Sequence, residues 1–396
     1  MQTDSSAEVV HQSLLKLEAW VQAAGWKAYD TFDGLSSPYA RFFTWNIPLL
    51  KQIWQQGVRR FPLNLRPLLA IKPGMSTKGM GFFAQGYLRL YQATNNPAYL
   101  EKMKFCLQWL MENCCSGYKG LCWGNHFDYQ HRAGRIPKGM PTIVWTGLIG
   151  HAFLDAYEAL HEKRYLYVAE QVSNFIAHEI GHTEFEEGVH LHYYPGATHC
   201  VHNSSMIGAS LLARAHHFSP HLNVMELSKK TVHWTMQHQL ENGAWYYGVG
   251  PKFQWIDSFH TAYVLEALDT YNRYAEDTQY GANLEKGYKY YLNTFFEADG
   301  TPRYYDCKKR PLDIQCASQA IQTCINLRRL HPDSVGIAQK VAHWTIAKMQ
   351  DSNGYFYYRK YPFITNKTPT LHWGQATMFA ALALLYQHLT NKVLTN

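Results

Sequence analysis

The feature that most constrains the fold of this chain is a pattern that recurs five times. Each copy is an apolar helix rich in small residues, a short break, a second helix, and a loop that combines glycine with aromatics. The period is about 50 to 70 residues, which calls for an array or a toroid. The first unit opens at Gly79-Met80-Gly81-Phe82-Phe83, passes through Tyr99-Leu100 to Leu110, and closes at Gly120-Leu121-Cys122-Trp123-Gly124. The second runs from Val144-Trp145-Thr146-Gly147 to Tyr193-Tyr194-Pro195-Gly196, and the third from His202-Asn203-Ser204-Ser205 to Asn242-Gly243-Ala244-Trp245-Tyr246-Tyr247. The fourth spans Asp257-Ser258-Phe259-His260-Thr261 to Asp299-Gly300-Thr301-Pro302-Arg303-Tyr304-Tyr305. The fifth spans Asp313-Ile314-Gln315 to Asn353-Gly354-Tyr355-Phe356-Tyr357-Tyr358.

Two helices are left over. A second-type helix at 9–23 opens the chain and a first-type helix at 372–389 closes it, and together they make a sixth hairpin. Splitting one hairpin between the termini closes a ring without exposed end repeats, so the expected fold is an all-α (α/α)6 toroid in one domain over 1–396. Apolar residues at Val264-Leu265, Leu268 and Tyr271, and at Met378-Phe379, Leu382 and Leu385-Tyr386, fall on the helical period. The first-type helices are apolar nearly all round and carry Gly147, Gly150, Gly208, Ala209, Ala380 and Ala381, which places them on the crowded inner ring. Residues 25–75, with five prolines, interrupt the pattern and read as an insertion or lid.

Composition narrows the function classes. With 46% hydrophobic, 15% aromatic and 17% charged residues, the chain suits a large core with an aromatic-lined recess. The opening Met1-Gln2-Thr3-Asp4 shows no secretory leader, and the most apolar stretch, 376–386, is about half of a membrane span. Eight cysteines without a C-x-x-C pair then read as reduced thiols of a cytoplasmic protein. The net charge of +7 is not gathered into a long run, so nucleic acid is not an expected partner, whereas an anionic sugar polymer is compatible with it. There is no phosphate-cradling glycine loop between a strand and a helix, and no cofactor is expected. His190, His192, His199, Cys200 and His202 have the side chains zinc takes, but 21 histidines make chance clustering the simpler reading.

In a ring of this kind each glycine-aromatic loop feeds the next inner helix, so loops and inner-helix starts gather at one face. Lys78, Asp128, Gln130, Trp145, His202 and Asn203 converge there from the first half of the chain. Asp257, His260, Asp306, Gln315, His372, Trp373 and Gln375 converge from the second. Trp245, Tyr246, Tyr305 and Tyr357 stand around them. Flat aromatics with amides, imidazoles and a few carboxylates match a sugar ring, which offers an apolar face and a hydroxyl rim. The plainer reading of Asp257 and Asp313 is helix N-capping, and that of the loop aromatics is plugging between hairpins.

At these residues the chain resembles bacterial polysaccharide-biosynthesis proteins of the VpsJ type, within the six-hairpin (α/α)6-toroid superfamily. The resemblance runs from about residue 70 to the C-terminus. It is carried by Lys78-Gly79-Met80-Gly81-Phe82-Phe83, Trp123-Gly124-Asn125-His126-Phe127-Asp128-Tyr129-Gln130 and Pro141-Thr142-Ile143-Val144-Trp145-Thr146. It continues through His202-Asn203-Ser204-Ser205, Trp255-Ile256-Asp257-Ser258-Phe259-His260-Thr261, Asp313-Ile314-Gln315-Cys316-Ala317 and His372-Trp373-Gly374-Gln375-Ala376. Such proteins commonly carry Arg where this chain has His372. The resemblance implies a role in surface-polysaccharide biosynthesis, with a saccharide substrate and other proteins of that machinery as partners.

The superfamily contains glycoside hydrolases, uronate lyases and sugar epimerases, each asking for different residues. A hydrolase needs two carboxyl groups across the scissile bond, for which Asp257, Asp128 and Asp306 are the candidates. A lyase or epimerase abstracts a proton next to a carboxylate, with His260 or Tyr305 as base and His202, Asn203, Lys78 and Arg359 around the acid. The alternative is a glycan-binding or scaffold protein without catalysis, which the scarcity of carboxylates favours.

Overall fold

A computed structural model describes residues 2–131 and 134–394. Helix α1 (Gln2–Ala23) opens the chain, and two further helices, α2 (Ala40–Thr44) and α3 (Pro48–Arg60), fall in the interrupting segment. Five hairpins follow: α4 (Thr77–Thr94) with α5 (Pro97–Glu112), α6 (Ile143–Leu160) with α7 (Lys163–His178), and α8 (His202–Phe218) with α9 (Met225–Gln237). The last two are α10 (Ser258–Tyr274) with α11 (Gly281–Thr294) and α12 (Ile314–Asn326) with α13 (Ser334–Met349). Helix α14 (Thr377–Leu394) then packs against α4 and α12 on the inside and α1 on the outside.

The inner ring runs α4, α6, α8, α10, α12, α14 and back to α4, each helix touching the next. This is the all-α (α/α)6 toroid, with the sixth hairpin shared by the two ends of the chain. The opening helix is longer than its apolar pattern, starting at Gln2 and not at residue 9. Short two-stranded ribbons decorate the loops, β1 (Tyr129–His131) with β2 (Gly134–Ile136) and β3 (His182–Phe185) with β4 (Gly188–Leu191). A small sheet of β5 (Leu312–Asp313), β6 (Arg359–Lys360) and β7 (Thr365–Asn366) links the last two loops.

Small residues let the inner helices approach. A β-carbon at Gly147 would stand 2.5 Å from Ile207 Cγ2, and one at Gly208 would stand 2.4 Å from Ile143 Cδ1. Each isoleucine fills the space that the missing methyl leaves. The loop glycines have a second role that repeats around the ring. Each lies against the backbone of the next outer helix: Gly120 against Gln171, Gly188 against Lys230, Gly243 against Lys286, Gly300 against Lys340 and Gly354 against Lys16. A β-carbon at these positions would fall 2.4, 2.4, 2.6, 2.7 and 2.2 Å from the facing carbonyl oxygens, which only glycine tolerates. In the second unit this residue is Gly188, on the β3–β4 ribbon, and not Gly196 of the loop that follows.

Four of the six inner helices begin with side-chain caps, whereas α8 begins after Val201 without one. Ser76 accepts from Gly79 N, Thr142 from Trp145 N, Asp257 from His260 N and Asp313 from Gln315 N, each satisfying an orphan N–H of the first turn. The last inner helix begins differently, with a wider turn at Leu371–Ala376 in which Gln375 N bonds Thr370 O at 3.0 Å. The Gln375 side chain clasps both the N–H and the C=O of Phe356, at 2.7 and 2.8 Å, and so fastens the fifth loop to the sixth hairpin.

Segment 24–76 crosses the end of the ring where the inner helices start. Ala28 and Gly74 pair through two backbone hydrogen bonds of 3.1 and 2.9 Å. Arg66 is buried, pairs with Asp33 at 2.7 Å and donates to the Asp30 carbonyl at 2.7 Å. Gln55 of α3 holds the Gln130 backbone through both its amide atoms, each at 3.0 Å.

The Gly354 contact closes the ring onto α1, and its φ of +101° also disfavours any side chain. Replacing Gly354 by Ala should therefore cost about 2–4 kcal/mol in denaturant unfolding. A loss under about 0.5 kcal/mol would show that this contact does not hold the ring.

Candidate active site

At the end where the inner helices begin, the ring encloses a cavity of about 480 Å3. Trp145 of α6, Phe259 and Tyr263 of α10, and Trp373 of the wide turn form much of its lining. Tyr193, Tyr247 and Trp255 of the loops and Phe32 of the interrupting segment complete it, Tyr247 stacking on Trp255 at 4.4 Å. Trp373 meets Phe32 edge-on at 5.2 Å and Phe259 at 6.1 Å, so a ring from the interrupting segment is part of the wall. A smaller cavity of about 170 Å3 lies at the opposite end, where the inner helices finish. Its charges are largely satisfied within the protein: Arg214 pairs with Asp155 at 2.7 Å, and Glu266 accepts from Gln319, Thr323 and Asn326.

Two imidazoles, each held by a carboxylate, face the larger cavity. His372 is buried, and its Nδ1 meets the carboxylate of Asp30. Burial works against ionisation of Asp30, but the imidazole more than offsets it and the carboxyl titrates below its usual range. Burial holds His372 below its usual value, so the pair is an ionised carboxylate with a neutral imidazole. A carboxylate only accepts, which assigns the proton to Nδ1 and the lone pair to Nε2. Nε2 is itself buried and has no hydrogen-bond partner among the described residues. That is the arrangement of a general base.

The second pair is Asp257 and His260 at the start of α10, with Nδ1 2.7 Å from Oδ2. Asp257 also accepts from the Trp255 indole at 3.0 Å and from the His260 N–H at 3.0 Å. It is thus at once a helix cap and the group that orients His260. The imidazole packs against Phe259 and Tyr247 and keeps 21% of its side-chain surface exposed.

Lys78, in the first turn of α4, is buried among aromatic faces, 4.9 Å from the Trp145 centroid and 5.3 Å from that of Trp373. Burial lowers its pKa to about 7, with the charge of Asp30 acting the other way. The lining further includes Arg59, Arg60 and Lys308. Against these four cations Asp257 is the single carboxylate among the described lining residues. Neither Arg59, Arg60 nor Lys308 forms an ion pair among the described residues, so the cavity carries positive potential.

Of the residues singled out from the sequence, the structure brings Lys78, Trp145, Asn203, Asp257, His260, Tyr305, His372 and Trp373 together around this cavity. The others lie outside its lining. Asp128 is bound to Arg135 at 2.8 Å and Lys138 N at 2.9 Å, and Asp306 turns onto the Cys307 N–H at 2.7 Å. Arg359 is buried in an ion pair with Asp313, behind the ring of Tyr304. Gln315 donates to the Tyr263 hydroxyl at 3.2 Å, and Gln130 spans its own ribbon to Gly134 O at 3.0 Å. His202 packs beneath Trp234 and His238, and Trp245 plugs its hairpin with its indole on Thr235 O at 3.1 Å. Tyr246 faces outward, Tyr357 bonds Asp351 at 2.9 Å, and Gln375 is the clasp described above. The histidines of segment 190–202 are separately engaged, His190 with Val201 N at 3.0 Å and His192 with Thr183 at 2.9 Å.

The sequence reasoning passed over Asp30, Phe32 and Arg59, which come from the interrupting segment, and Tyr247, Trp255 and Tyr263. Both Tyr247 and Trp255 had a signal, since Tyr247 ends the third glycine-aromatic loop and Trp255 stands two residues before the helix start at Asp257.

No family model matches the chain, and neither does any curated protein. Solved structures do. An unsaturated glucuronyl hydrolase specific for heparin superposes with a TM-score of 0.64 at 11% identity, covering 98% of this chain and 98% of that one. A cellobiose 2-epimerase from Bacillus thermoamylovorans gives 0.62 at 12% identity, covering 79% and 88%. A family 76 glycoside hydrolase (mannosidase) from Bacteroides thetaiotaomicron gives 0.59 at 13% identity, covering 99% and 100%. The class the chain shares with them is the six-hairpin (α/α)6 toroid, and at these identities the likeness is one of fold.

The assignment of the Asp30–His372 pair makes a spectroscopic prediction. Nitrogen NMR should find His372 more than half neutral at pH 6.5, with the proton on Nδ1. Replacing Asp30 by Asn should mix the tautomers, whereas an imidazolium at pH 6.5 in the parent protein would contradict the assignment.

Proposed function

We propose that this protein is a proton-transfer enzyme of epimerase or lyase type that acts on an acidic saccharide. The observation that carries the proposal is the pair of carboxylate-held imidazoles in one aromatic cavity, together with a single lining carboxylate that is already bound to three donors. Hydrolysis by two carboxyl groups has no second lining carboxylate to draw on among the described residues. Proton abstraction at a sugar carbon beside a carbonyl or carboxylate needs a neutral base, a proton donor and a cation for the developing oxyanion. His372 serves as base through Nε2, His260 is the second acid–base group, and Lys78 stabilises the oxyanion. Arg59, Arg60 and Lys308 favour a substrate that carries negative charge.

The aromatic walls suit the apolar faces of sugar rings. The saccharide-acting toroids among the solved structures, epimerases included, support the same class of substrate. The cellular setting rests on the VpsJ-type motifs. They support a cytoplasmic step in surface-polysaccharide biosynthesis, alongside other proteins of that pathway, carried out by one toroidal domain whose segment 25–75 covers the mouth.

The test is incubation of the protein in heavy water with neutral and uronate-containing oligosaccharides, followed by proton NMR. The expected result is loss of one carbon-bound proton signal, faster for the acidic sugars, and slowed by about 100-fold or more in His372→Ala and His260→Ala. New reducing ends without exchange would overturn the proposal in favour of hydrolysis. Saturable sugar binding with neither signal would make the protein a glycan-binding module.

The pH profile gives a second check. Lys78 is a cation below about 7, so the rate should fall on the alkaline side of that value. Lys78→Arg should move that limb to higher pH, and an unmoved limb would remove Lys78 from the role given to it.

A further inference from the structure

The wall of the cavity formed by α3 has an outer side that the chemistry above does not use. Gln52, Gln56 and Arg59 of this helix line the cavity, and Gln55 and Val58 are buried. Leu49 and Ile53, one turn apart on another face, are exposed. Phe42, Trp45 and Leu68 of the same segment keep 73%, 74% and 78% of their surface in solvent. Phe42 and Phe43 meet edge-on at 5.2 Å and Phe43 stacks on Trp54 of α3 at 5.5 Å, so α2 and α3 share one patch. Among the described residues, ten of the nineteen exposed large apolar side chains lie between Tyr39 and Leu68. Such concentration marks an interaction surface, since scattered exposed apolar residues are the norm.

Charge identifies the occupant. From Gly34 to Ser76 the chain has six Lys or Arg and no Asp or Glu. Arg66 is buried against Asp33, and Arg59 turns to the cavity. Arg41 and Lys72 of this segment are exposed, Arg60 is exposed where it also lines the cavity, Lys51 is half-buried within electrostatic reach of Asp128, and none of the four forms an ion pair among the described residues. A second copy of the chain on the same patch would set these cations against their own equivalents. An anionic lipid surface meets both features, accepting Trp, Phe and Leu at the acyl boundary and Lys and Arg at the headgroups. We infer that α2, α3 and the turns beside them lie on an anionic membrane surface, with the cavity behind α3. No helix among the described residues is long and apolar enough to cross the membrane, and the contact is one of lying on the surface.

Sedimentation with vesicles tests this without any sugar, and so independently of the proposed reaction. The probe is phosphatidylcholine vesicles with about one third phosphatidylglycerol, against phosphatidylcholine alone. The expected result is binding to the anionic vesicles, reduced by about tenfold or more in Phe42→Ser/Trp45→Ser and in Leu49→Gln/Ile53→Gln. Arg41→Gln/Lys51→Gln should lose the preference for anionic lipid. The replaced side chains are exposed except for the half-buried Lys51, and unchanged circular dichroism and melting are the control for folding. If one fails that control, the other two decide. A parent protein that stays in the supernatant, or binding indifferent to every variant that folds, would overturn the inference. So would a dimer in solution that Phe42→Ser/Trp45→Ser converts to monomer, which would give the patch to a second copy.

Discussion

The ring depends on one backbone contact repeated at five of its six joints, in which a loop glycine is pressed against a carbonyl of the next outer helix. This contact fixes where each loop leaves its hairpin and therefore where the following inner helix begins. Gly354 makes the same contact with α1, although Lys16 belongs to the other end of the chain. Closure is thus built from the joint already used four times, with Gln375 clasping Phe356 beside it. Because every joint delivers the next inner helix with the same polarity, all the inner helices start at one end. The caps Ser76, Thr142, Asp257 and Asp313 stand there for that reason, and the cavity forms among them.

Two of these starts have been adapted. At α10 the capping aspartate also holds His260, so a single carboxylate satisfies a backbone N–H and orients an imidazole. At α14 the side-chain cap is replaced by the wide turn Leu371–Ala376, which sets the consecutive residues His372 and Trp373 both on the cavity. Widened turns of this kind are frequent at functional sites, where they re-aim side chains at the cost of regular hydrogen bonding. The carboxylate for His372 is then brought by the interrupting segment, held in place through Arg66. The segment is therefore both part of the cavity wall and the carrier of the apolar outer patch.

The ring was legible in the sequence because its period is carried by residues with a backbone reason to recur. Gly243, Gly300 and Gly354 mark joints, and the small residues of the inner helices mark close packing. The cavity was legible in part, since the repeat places Lys78, Asp257, His260 and His372 at helix starts without telling which point inward. Asp128, Arg359 and Gln375 sit at comparable places and are taken up by local partners. Asp30 was not legible, because its partner lies 342 residues away and the proline-rich segment has no period from which to place it. The outer patch was hidden for the same reason, since without the fold Leu49 and Ile53 look like core positions of an ordinary amphipathic helix.

The most direct test of the account is a crystal structure with an open-chain sugar acid, such as an aldonate, bound at saturation. The account predicts that the carboxylate end lies near Lys78 and the cations of the mouth. It also predicts a carbon next to the carboxylate within reach of His372 Nε2, with His260 as the second acid–base group beside it. Density at the opposite, charge-paired cavity, or a ligand whose carbons meet neither imidazole, would contradict it.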